Sequence, residues 1–363
     1  MAFLTTNGST NIVLKNNILA NFGGGWALYS ASATDISASD YNDLYITGKF
    51  IAYWNGVNKT SLADYQSAST FDAHSVNANP AFVSANDMHT TSSFLDSAGT
   101  AVAEVTTDID GEARNATYPD IGADEFTAVS LPLAGTYTIG GSSPDYADFS
   151  DAAAALNQLG ISAPVTFNVR AGTYNDQFSL SDINGADAVN TITFQSETGD
   201  STSVELTFSS SQTFNYLAEL VGTDYITFRN MTFSVQNASY SVIFRLAGGI
   251  DGLTIKNCVM NGLGGYSSEY DRSIIYSGSS ILSNVTIENN IFSGGRSGVW
   301  IACDPSYYSS GVKILNNQFS GNYYEAIYLR YHSAPEVSGN RIERTDNTGY
   351  YAILLHKIGR AHV

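Results

Sequence analysis

Two aromatic residues, Trp300 and Tyr328, occupy equivalent outward positions in neighbouring repeats of this 363-residue chain, and Arg330, His332 and Asp304 lie near them in sequence. Aromatic rings pack against the apolar faces of sugars, and polar groups at the edge of such a platform bind hydroxyl groups. These residues therefore predict a glycan-binding surface. The alternative is an aromatic ladder, in which the two rings stack on each other and stabilise the sheet.

The same region contains candidates for acid–base catalysis. His332 could act as a lyase-type base that Arg330 and Glu325 orient, because histidine is the side chain most often used for proton transfer. Glycoside hydrolysis would instead need two carboxylates roughly 5 to 9.5 Å apart. Parallel coils stack about 4.8 Å apart, so a hydrolase requires acidic residues at equivalent outward positions of neighbouring coils.

A dense set of acidic residues lies nearer the N-terminus: Asp108, Asp110, Glu112, Asp120, Asp124 and Glu125. Carboxylates that alternate along the chain can supply oxygen ligands to Ca²⁺, although this spacing lacks the full EF-hand pattern. The alternative is a capping turn that closes a solenoid. His74 and His89 have no neighbours in sequence that suggest a metal site, so no other metal is predicted.

The amino-acid composition limits the kinds of molecule that this protein is expected to bind. The chain carries 16 Lys and Arg against 34 Asp and Glu, which is a formal net charge of −18. A surface this acidic repels nucleic acid, whereas a polysaccharide or cell-surface glycan is compatible with it. No apolar run is long enough to span a membrane, and Cys258 and Cys303 are predicted to be buried free thiols. The 23 Tyr and 18 Phe against 7 Pro favour short strands joined by tight turns.

Internal repeats indicate the elements that position these side chains. Five segments align without gaps: YITFRNMTF from Tyr225, LTIKNCVM from Leu253, VTIENNIF from Val285, VKILNNQF from Val312 and PEVSGNRI from Pro335. Alternating apolar and polar residues predict a strand with one buried face. The Asn that follows predicts a left-handed bend before the next strand, and stacked coils would bring these Asn side chains into a ladder. The four bend residues are Asn230, Asn257, Asn289 and Asn316.

A further strand aligns in each coil, beginning at Ser241, Ser273, Gly298, Ala326 and Ala352. Its predicted outward columns are Ile243, Ile275, Trp300, Tyr328, Leu354 and Arg245, Ser277, Ala302, Arg330, His356. The outward columns of the first strand are Thr227, Thr254, Thr286, Lys313, Glu336 and Arg229, Lys256, Glu288, Leu315, Ser338. Each first-strand column holds a single carboxylate, which argues against a hydrolase on this face.

The repeats predict an all-β chain that contains parts of two right-handed parallel β-helix solenoids. Residues 1–126 are predicted to be the C-terminal coils of the first, residues 127–133 a linker, and residues 134–357 the first coils of the second. Helical spacing over residues 144–160 predicts a helix that caps the second solenoid. Residues 358–363 resemble the translation of a sequencing adapter, and the chain is interpreted as a fragment cut at both ends.

Three segments resemble secreted, multidomain right-handed β-helix proteins of Bacteroidetes-type bacteria with the pectin-lyase-like fold. These segments run from Gly135 to Asp176, from Asn190 to Asp200 and from Thr107 to Phe126. The resemblance implies an extracellular or cell-surface location and is weak for activity. Among enzymes of this fold, pectate lyases use acidic residues to hold Ca²⁺ and an Arg base, and polygalacturonases use Gly-His-Gly and Arg-Ile-Lys strings. Neither string occurs here, and the nearest is Arg341-Ile342-Glu343.

We therefore expect a surface protein that binds glycan or serves an adhesive or structural role. The alternative is a polysaccharide lyase or another carbohydrate-active enzyme on the same fold. No signal peptide is visible in the first residues.

Overall fold

The computed structural model describes residues 1–6, 8–128, 131–263, 272–343 and 351–359. The chain divides into two compact units. The first comprises Met1–Pro132 with Asn157–Gly160 and Asp182–Asn184, and the second comprises Leu133–Leu156, Ile161–Ser181 and the described residues from Gly185 onward. Within the predicted linker, residues 129–130 lie outside the described residues, as do residues 360–363 of the predicted adapter-derived tail.

The first unit begins with short parallel coils. Its elements are β1 (Phe3–Thr5), β2 (Ile12–Lys15), β3 (Ile18–Asn21), β4 (Leu28–Ser30), β5 (Ile36–Asp40), β6 (Asp43–Ile46), β7 (Ala52–Trp54), β8 (Val57–Lys59), α1 (Leu62–Ser69), β9 (Phe82–Ser84) and β10 (Asp87–Thr90). Strands β1, β4 and β7 pair in parallel, as do β2 with β5 and β3 with β6. Three strands therefore repeat in each coil. The pairs β7–β8 and β9–β10 are antiparallel.

The second unit continues the three-strand repeat over many coils. Its first elements are β11 (Leu133–Ile139), α2 (Phe149–Leu159), β12 (Ile161–Val169), β13 (Gly172–Asn175), β14 (Phe178–Leu180), β15 (Ile192–Ser196), β16 (Val204–Phe208), β17 (Ala218–Val221), β18 (Ile226–Arg229), β19 (Thr232–Val235), β20 (Phe244–Ala247), β21 (Gly249–Asp251), β22 (Thr254–Lys256) and β23 (Val259–Asn261). The later ones are β24 (Ile275–Ser283), β25 (Thr286–Glu288), β26 (Ile291–Ser293), β27 (Val299–Cys303), β28 (Ser309–Ser310), β29 (Lys313–Leu315), β30 (Gln318–Ser320), β31 (Ile327–Arg330), β32 (His332–Ser333), β33 (Glu336–Ser338), β34 (Arg341–Glu343) and β35 (Ile353–His356).

Three parallel sheets run through this unit. The first has the order β11-β12-β15-β18-β22-β25-β29-β33, the second β13-β16-β19-β23-β26-β30-β34, and the third β14-β17-β20-β24-β27-β31-β35. Strands that follow one another in the chain go to different sheets, and each pairs with its counterpart one coil away. This connectivity is that of a parallel β-helix, so the predicted solenoid is confirmed for this unit.

Alternation along the first sheet buries one face. Phe167, Phe194 and Phe228 point into the core, where neighbouring ring centroids lie 4.6 and 5.4 Å apart. Backbone pairing aligns Thr227, Thr254, Thr286, Lys313 and Glu336 on the outer face. The predicted outward columns of the first strand are therefore confirmed, because strict alternation determines which face each residue meets.

The predicted columns of the third sheet are wrong at two coils. Arg245 and Tyr276, not Ile243 and Ile275, stand in the column of Trp300. Ser277 pairs with Ile301 and is buried rather than outward. The apolar runs 242–244 and 274–276 do not alternate, so the sequence cannot distinguish two registers that differ by one residue.

The asparagine bends form as predicted, but the ladder is one residue further along. Asn230, Asn257, Asn289 and Asn316 all have φ between 53° and 57°, the left-handed region in which asparagine is tolerated. The stacked amides belong to the next positions, Asn290, Asn317 and Asn340. The Asn290 and Asn317 backbone N–H groups each donate to the Oδ1 atom of the next coil's amide at 2.9 Å.

Helix α2 spans Phe149–Leu159 and is shorter than the predicted 144–160. Asp148 sets its start, because its carboxylate accepts the N–H of Asp151 at 3.0 Å. The buried face consists of Phe149, Ala152, Ala153 and Leu156, the apolar positions that the helical spacing indicated. Within the described ranges, no helix has the length and apolar content needed to cross a membrane.

Candidate functional site

The outer column of the third sheet carries the predicted glycan platform. Tyr276, Trp300, Tyr328 and Leu354 stand side by side on successive coils. The ring centroids of Tyr276 and Trp300 lie 5.3 Å apart with an interplanar angle of 13°, and those of Trp300 and Tyr328 lie 5.1 Å apart at 6°. Trp300 is 8% and Tyr328 9% exposed. The rings cover one another's faces, which is the arrangement of an aromatic ladder.

The polar residues Asp304 and Arg330, predicted at the platform edge, contact residues close to them in sequence. Asp304 follows β27 and accepts the N–H of Ser306 at 2.8 Å. The Arg330 guanidinium lies 4.6 Å from the centroid of the Tyr331 ring and donates to the Tyr331 hydroxyl at 2.7 Å. These contacts hold each side chain against residues that lie close to it in the sequence.

Arg330, His332 and Glu325 do not form a hydrogen-bonded group. All three are described residues, and no hydrogen bond or ion pair joins any two of them in the described part of the chain. Glu325 is buried, and its Oε2 lies 3.3 Å from Nη1 of Arg296 in an ion pair. The Glu325 carboxylate therefore forms an ion pair with Arg296 and does not orient His332.

His332 is fully buried and contacts the second free cysteine. Its Nε2 lies 3.5 Å from Sγ of Cys303. Burial lowers the pKa of His332 to about 4, against a smaller opposing effect of the Ile301 carbonyl. The imidazole is therefore neutral at pH 7, and no atom of it is open to a polymer outside the coil.

Asp224 and Asp251 are acidic residues on neighbouring coils, as a hydrolase would require, and a hydrogen bond joins them. Asp224 accepts the backbone N–H of Asp251 at 2.6 Å. Asp251 accepts the Tyr225 hydroxyl at 2.9 Å and the Asn284 amide at 2.8 Å. These hydrogen bonds show that both carboxylates stabilise turns. Each donor occupies a lone pair that a catalytic carboxylate would use to bind substrate or water.

A more exposed aromatic group lies on the first unit, around the Gly23–Gly25 turn. We call Trp26, Tyr29 and Tyr53 the aromatic corner, whereas the ring of Phe22 contacts Tyr45, with centroids 5.5 Å apart. Tyr29 and Tyr53 occupy paired outward positions of β4 and β7, and their rings stack at 4.5 Å and 7°. Trp26 stands at 71° and 68° to these rings, and Phe22 is 56% exposed.

The aromatic corner is held in place by amide groups. Asn21 donates its side-chain N–H to the Trp26 carbonyl at 2.9 Å and accepts the Gly23 N–H at 2.9 Å, which closes the glycine turn. The Trp26 indole N–H donates to Oδ1 of Asn58 at 2.8 Å. Sequence reasoning missed this surface, although the string FGGGW, with aromatic residues on both sides of three glycines, marks it.

The acidic segment of the first unit separates into two groups. Asp108, Asp120 and Glu125 accept backbone N–H groups of the same segment, among them Glu112 at 2.8 Å and Phe126 at 2.6 Å. This bonding supports the predicted capping turn, because carboxylates that accept several N–H groups shape the loop itself. Asp110 and Asp124 differ, since they face His89.

His89 stands among three aspartates. Its Nδ1 lies 2.5 Å from Oδ1 of Asp87, and its Nε2 lies 2.7 Å from Oδ2 of Asp110. These hydrogen bonds, first to Asp87 and then to Asp110, raise the pKa of His89 to about 9. One ring nitrogen of His89 and one oxygen each of Asp110 and Asp124 lie within 4.8 Å of one another. Sequence reasoning missed this cluster because His89 is far from the two aspartates along the chain.

Comparison with known proteins gives a family match over part of the chain and two similar solved structures. Two crystal structures of the pectin methylesterase from Aspergillus niger, deglycosylated and penultimately deglycosylated, are 14% and 15% identical to this chain, with TM-scores of 0.36 and 0.37. They cover 64% and 63% of this chain and 87% of their own, and at this level the likeness carries no argument about function. The chain matches no curated protein. Residues 217–354 match the family described as "Right handed beta helix region", in agreement with the strand pairing of the second unit.

Proposed function

We propose that this protein is a non-catalytic β-helix protein that binds a neutral polysaccharide, with the aromatic corner as its binding surface. The observation that carries the proposal is the orientation of Trp26. Tyr29 and Tyr53 cover one face of each other's ring, whereas an indole at about 70° to both is stacked on neither and can offer a face. Such a face packs against the C–H groups of a pyranose ring.

The polar surroundings of Trp26 suit a neutral ligand. Asn58 fixes the indole, and amides of this kind bind sugar hydroxyl groups without a charge. Lys59 is paired with Asp64 at 3.5 Å, so it offers little to a polyanion. The net charge of −18 opposes a polymer of uronic acids further.

The adhesive role and the location outside the cell or on its surface belong to the same proposal. They are supported by the resemblance of the coil and closing segments and by the extended, repetitive second unit. The outer column of the third sheet, with Trp300, Tyr328 and Asp304, is the second surface to test, because it was predicted from the sequence.

A binding experiment distinguishes the two surfaces. The intact chain is screened against an array of neutral and acidic glycans, and the oligosaccharide that binds is titrated by calorimetry into the parent protein and Trp26→Ala. We expect Trp26→Ala to weaken binding by about 2 kcal/mol, roughly thirtyfold, because a stacking anchor is lost. Its unfolding temperature should fall less than that of Trp300→Ala, since the Trp26 indole is only partly buried.

Trp300→Ala is the matched control. It should lower the free energy of unfolding by about 3 to 5 kcal/mol, because Trp300 is buried in the ladder, and should leave glycan affinity unchanged. Trp300→Phe keeps a stacked ring if the alanine variant unfolds. Loss of binding in Trp300→Phe with full binding in Trp26→Ala would move the site to the third sheet. Absence of binding to every glycan would contradict the proposal.

The alternative of a polysaccharide lyase predicts unsaturated products from a uronic-acid polymer and their loss in Arg330→Ala or His332→Ala. The burial of His332, and the absence of a hydrogen bond between it and Arg330 among the described residues, disfavour that mechanism. We expect no ultraviolet absorbance from unsaturated uronides when the protein is incubated with pectic and other acidic polymers. Product formation by the pure protein would show that the non-catalytic assignment is wrong.

A further inference from the structure

His89, Asp110 and Asp124 place three metal-binding atoms around one point on the first unit. Their donor atoms lie within 4.8 Å of one another, and Nε2 of His89 lies 2.7 Å from Oδ2 of Asp110. In a tetrahedral site with bonds of about 2.0 to 2.1 Å, donor atoms lie roughly 3.3 Å apart. The side chains therefore need only small adjustments to surround an ion.

Asp124 is the member of the cluster whose carboxylate has no hydrogen-bond or ion-pair partner among the described residues. It is 6% exposed, and within the described ranges its carboxylate accepts no hydrogen bond and forms no ion pair. The neighbouring acids Asp108, Asp120 and Glu125 are all bound to backbone N–H groups. The Asp124 oxygens are not among the atoms that are buried without a partner, so they keep contact with solvent and can accept a cation.

Asp87 completes the arrangement behind the imidazole. Its Oδ1 lies 2.5 Å from Nδ1 of His89, on the side of the ring opposite Nε2. A histidine that binds a metal almost always donates its other ring N–H to a carboxylate or carbonyl, which fixes the tautomer and orients the ring. Asp87 thus leaves Nε2 directed towards Asp110. Binding of Zn²⁺ displaces the Nε2 proton that this hydrogen bond shares with Asp110, and the proton is released to solvent.

We propose that His89, Asp110 and Asp124 bind one divalent transition-metal ion, best represented by Zn²⁺, and that Asp87 positions the imidazole. One nitrogen and two carboxylate oxygens suit Zn²⁺, whereas Ca²⁺ takes oxygen ligands only. His89 and Asp110 are 38% and 57% exposed, so an ion can enter and a water molecule can fill the fourth position. The site is separate from the aromatic corner and does not depend on glycan binding.

Calorimetry with the chain free of any affinity tag tests the proposal. After treatment with a chelator and dialysis, we expect the parent protein to bind one Zn²⁺ per chain at pH 7. His89→Gln should abolish this binding, and Asp124→Asn, which keeps the shape of the side chain, should weaken it at least tenfold. Asp87→Asn should weaken it about 10- to 100-fold, as loss of a carboxylate behind a histidine ligand does.

His74→Gln is the matched control. His74 also contacts an aspartate through Nδ1, at 2.8 Å from Asp40, and is exposed, but it belongs to no such group of three among the described residues. Its substitution should leave the affinity for Zn²⁺ unchanged. Circular dichroism of each variant verifies folding, and Asp124→Asn keeps the test valid if His89→Gln unfolds.

Three results would overturn the proposal. The parent protein fails to bind Zn²⁺, in which case His89 is only the centre of an ion-pair group. Zn²⁺ binds equally well to His89→Gln and Asp124→Asn, which would place the ion elsewhere. Ca²⁺ displaces Zn²⁺ at equal concentration, which would assign the acidic segment to calcium.

Discussion

Trp26 and Trp300 differ in what covers their rings. Trp300 is enclosed between Tyr276 and Tyr328, whereas Trp26 lies at about 70° to two stacked tyrosines and is only partly buried. The same residue type is therefore stacked within a sheet in one place and partly exposed in the other. His332 and His89 show the same contrast, since burial makes one neutral and two carboxylates keep the other charged.

His332 predicts a pH dependence of stability. Its pKa is about 4 in the folded protein and about 6.5 when unfolded, so between these values the unfolded chain binds a proton that the folded one does not. Stability from this group should be fully present above pH 6.5 and fall by about 3 kcal/mol as the pH falls through this window to 4. Urea unfolding at steps from pH 7 to 4 measures it.

The matched variant is His332→Gln, whose side chain does not titrate. Carboxylates contribute to both proteins alike, so the difference between the two curves isolates His332. A parent curve that runs parallel to the variant curve from pH 7 to 4 would show that His332 does not have a lowered pKa.

Among the repeated elements, the amide ladder connects the coils in both units. Asn17 donates its N–H to Oδ1 of Asn42 at 3.0 Å in the first unit, as Asn290 does to Asn317 in the second. Each buried amide also donates to a strand carbonyl of the preceding coil, for example Asn290 to Ile255 at 2.9 Å. The ladder satisfies backbone groups at a bend where no strand partner is available.

Asn290→Ala should lower the free energy of unfolding by about 3 kcal/mol, because it leaves the Cys258 N–H and the Ile255 carbonyl buried without this amide. Denaturant unfolding measures the change. Asn289→Gly is the control next to it: Asn289 is exposed at φ 55°, which glycine also adopts, so its loss should cost less than about 0.5 kcal/mol. Equal costs at the two positions would contradict the role of the ladder.

Across the whole molecule, the acidic charge is the dominant electrostatic feature. With 34 acidic against 16 basic side chains, the folded chain repels itself as well as polyanions. The salt bridge of Lys313 with Glu336, at 4.0 Å on the second unit, is exposed and contributes little.

Added salt should therefore stabilise the protein. Raising NaCl from about 0.02 to 0.2 M at pH 7 screens the repulsion, and we expect the unfolding temperature to rise by roughly 2 to 5 °C. Scanning calorimetry in a metal-free buffer measures it, with KCl as a check that the effect is ionic strength. A decrease in unfolding temperature would show that attractive ion pairs outweigh the repulsion.

The sequence by itself predicted the parallel coils, the left-handed asparagine bends and the outward columns of the first sheet. These follow from alternation and from residue preferences, which act over a few neighbouring residues. It also indicated the buried face of helix α2, while placing the start of the helix five residues too early. The platform residues and the lyase candidates were predicted from the outward columns of the aligned repeats. Such columns indicate which residues share a face, but not how far neighbouring side chains bury them.

Only the tertiary structure decided the register of the third sheet, where runs of three apolar residues do not alternate. It also decided which aromatic rings are covered, because coverage depends on coils tens of residues apart. The grouping of His89 with Asp110 and Asp124 arises in the same way, since 21 residues separate His89 from Asp110. Contacts over such distances depend on how the chain folds back, which no local pattern specifies.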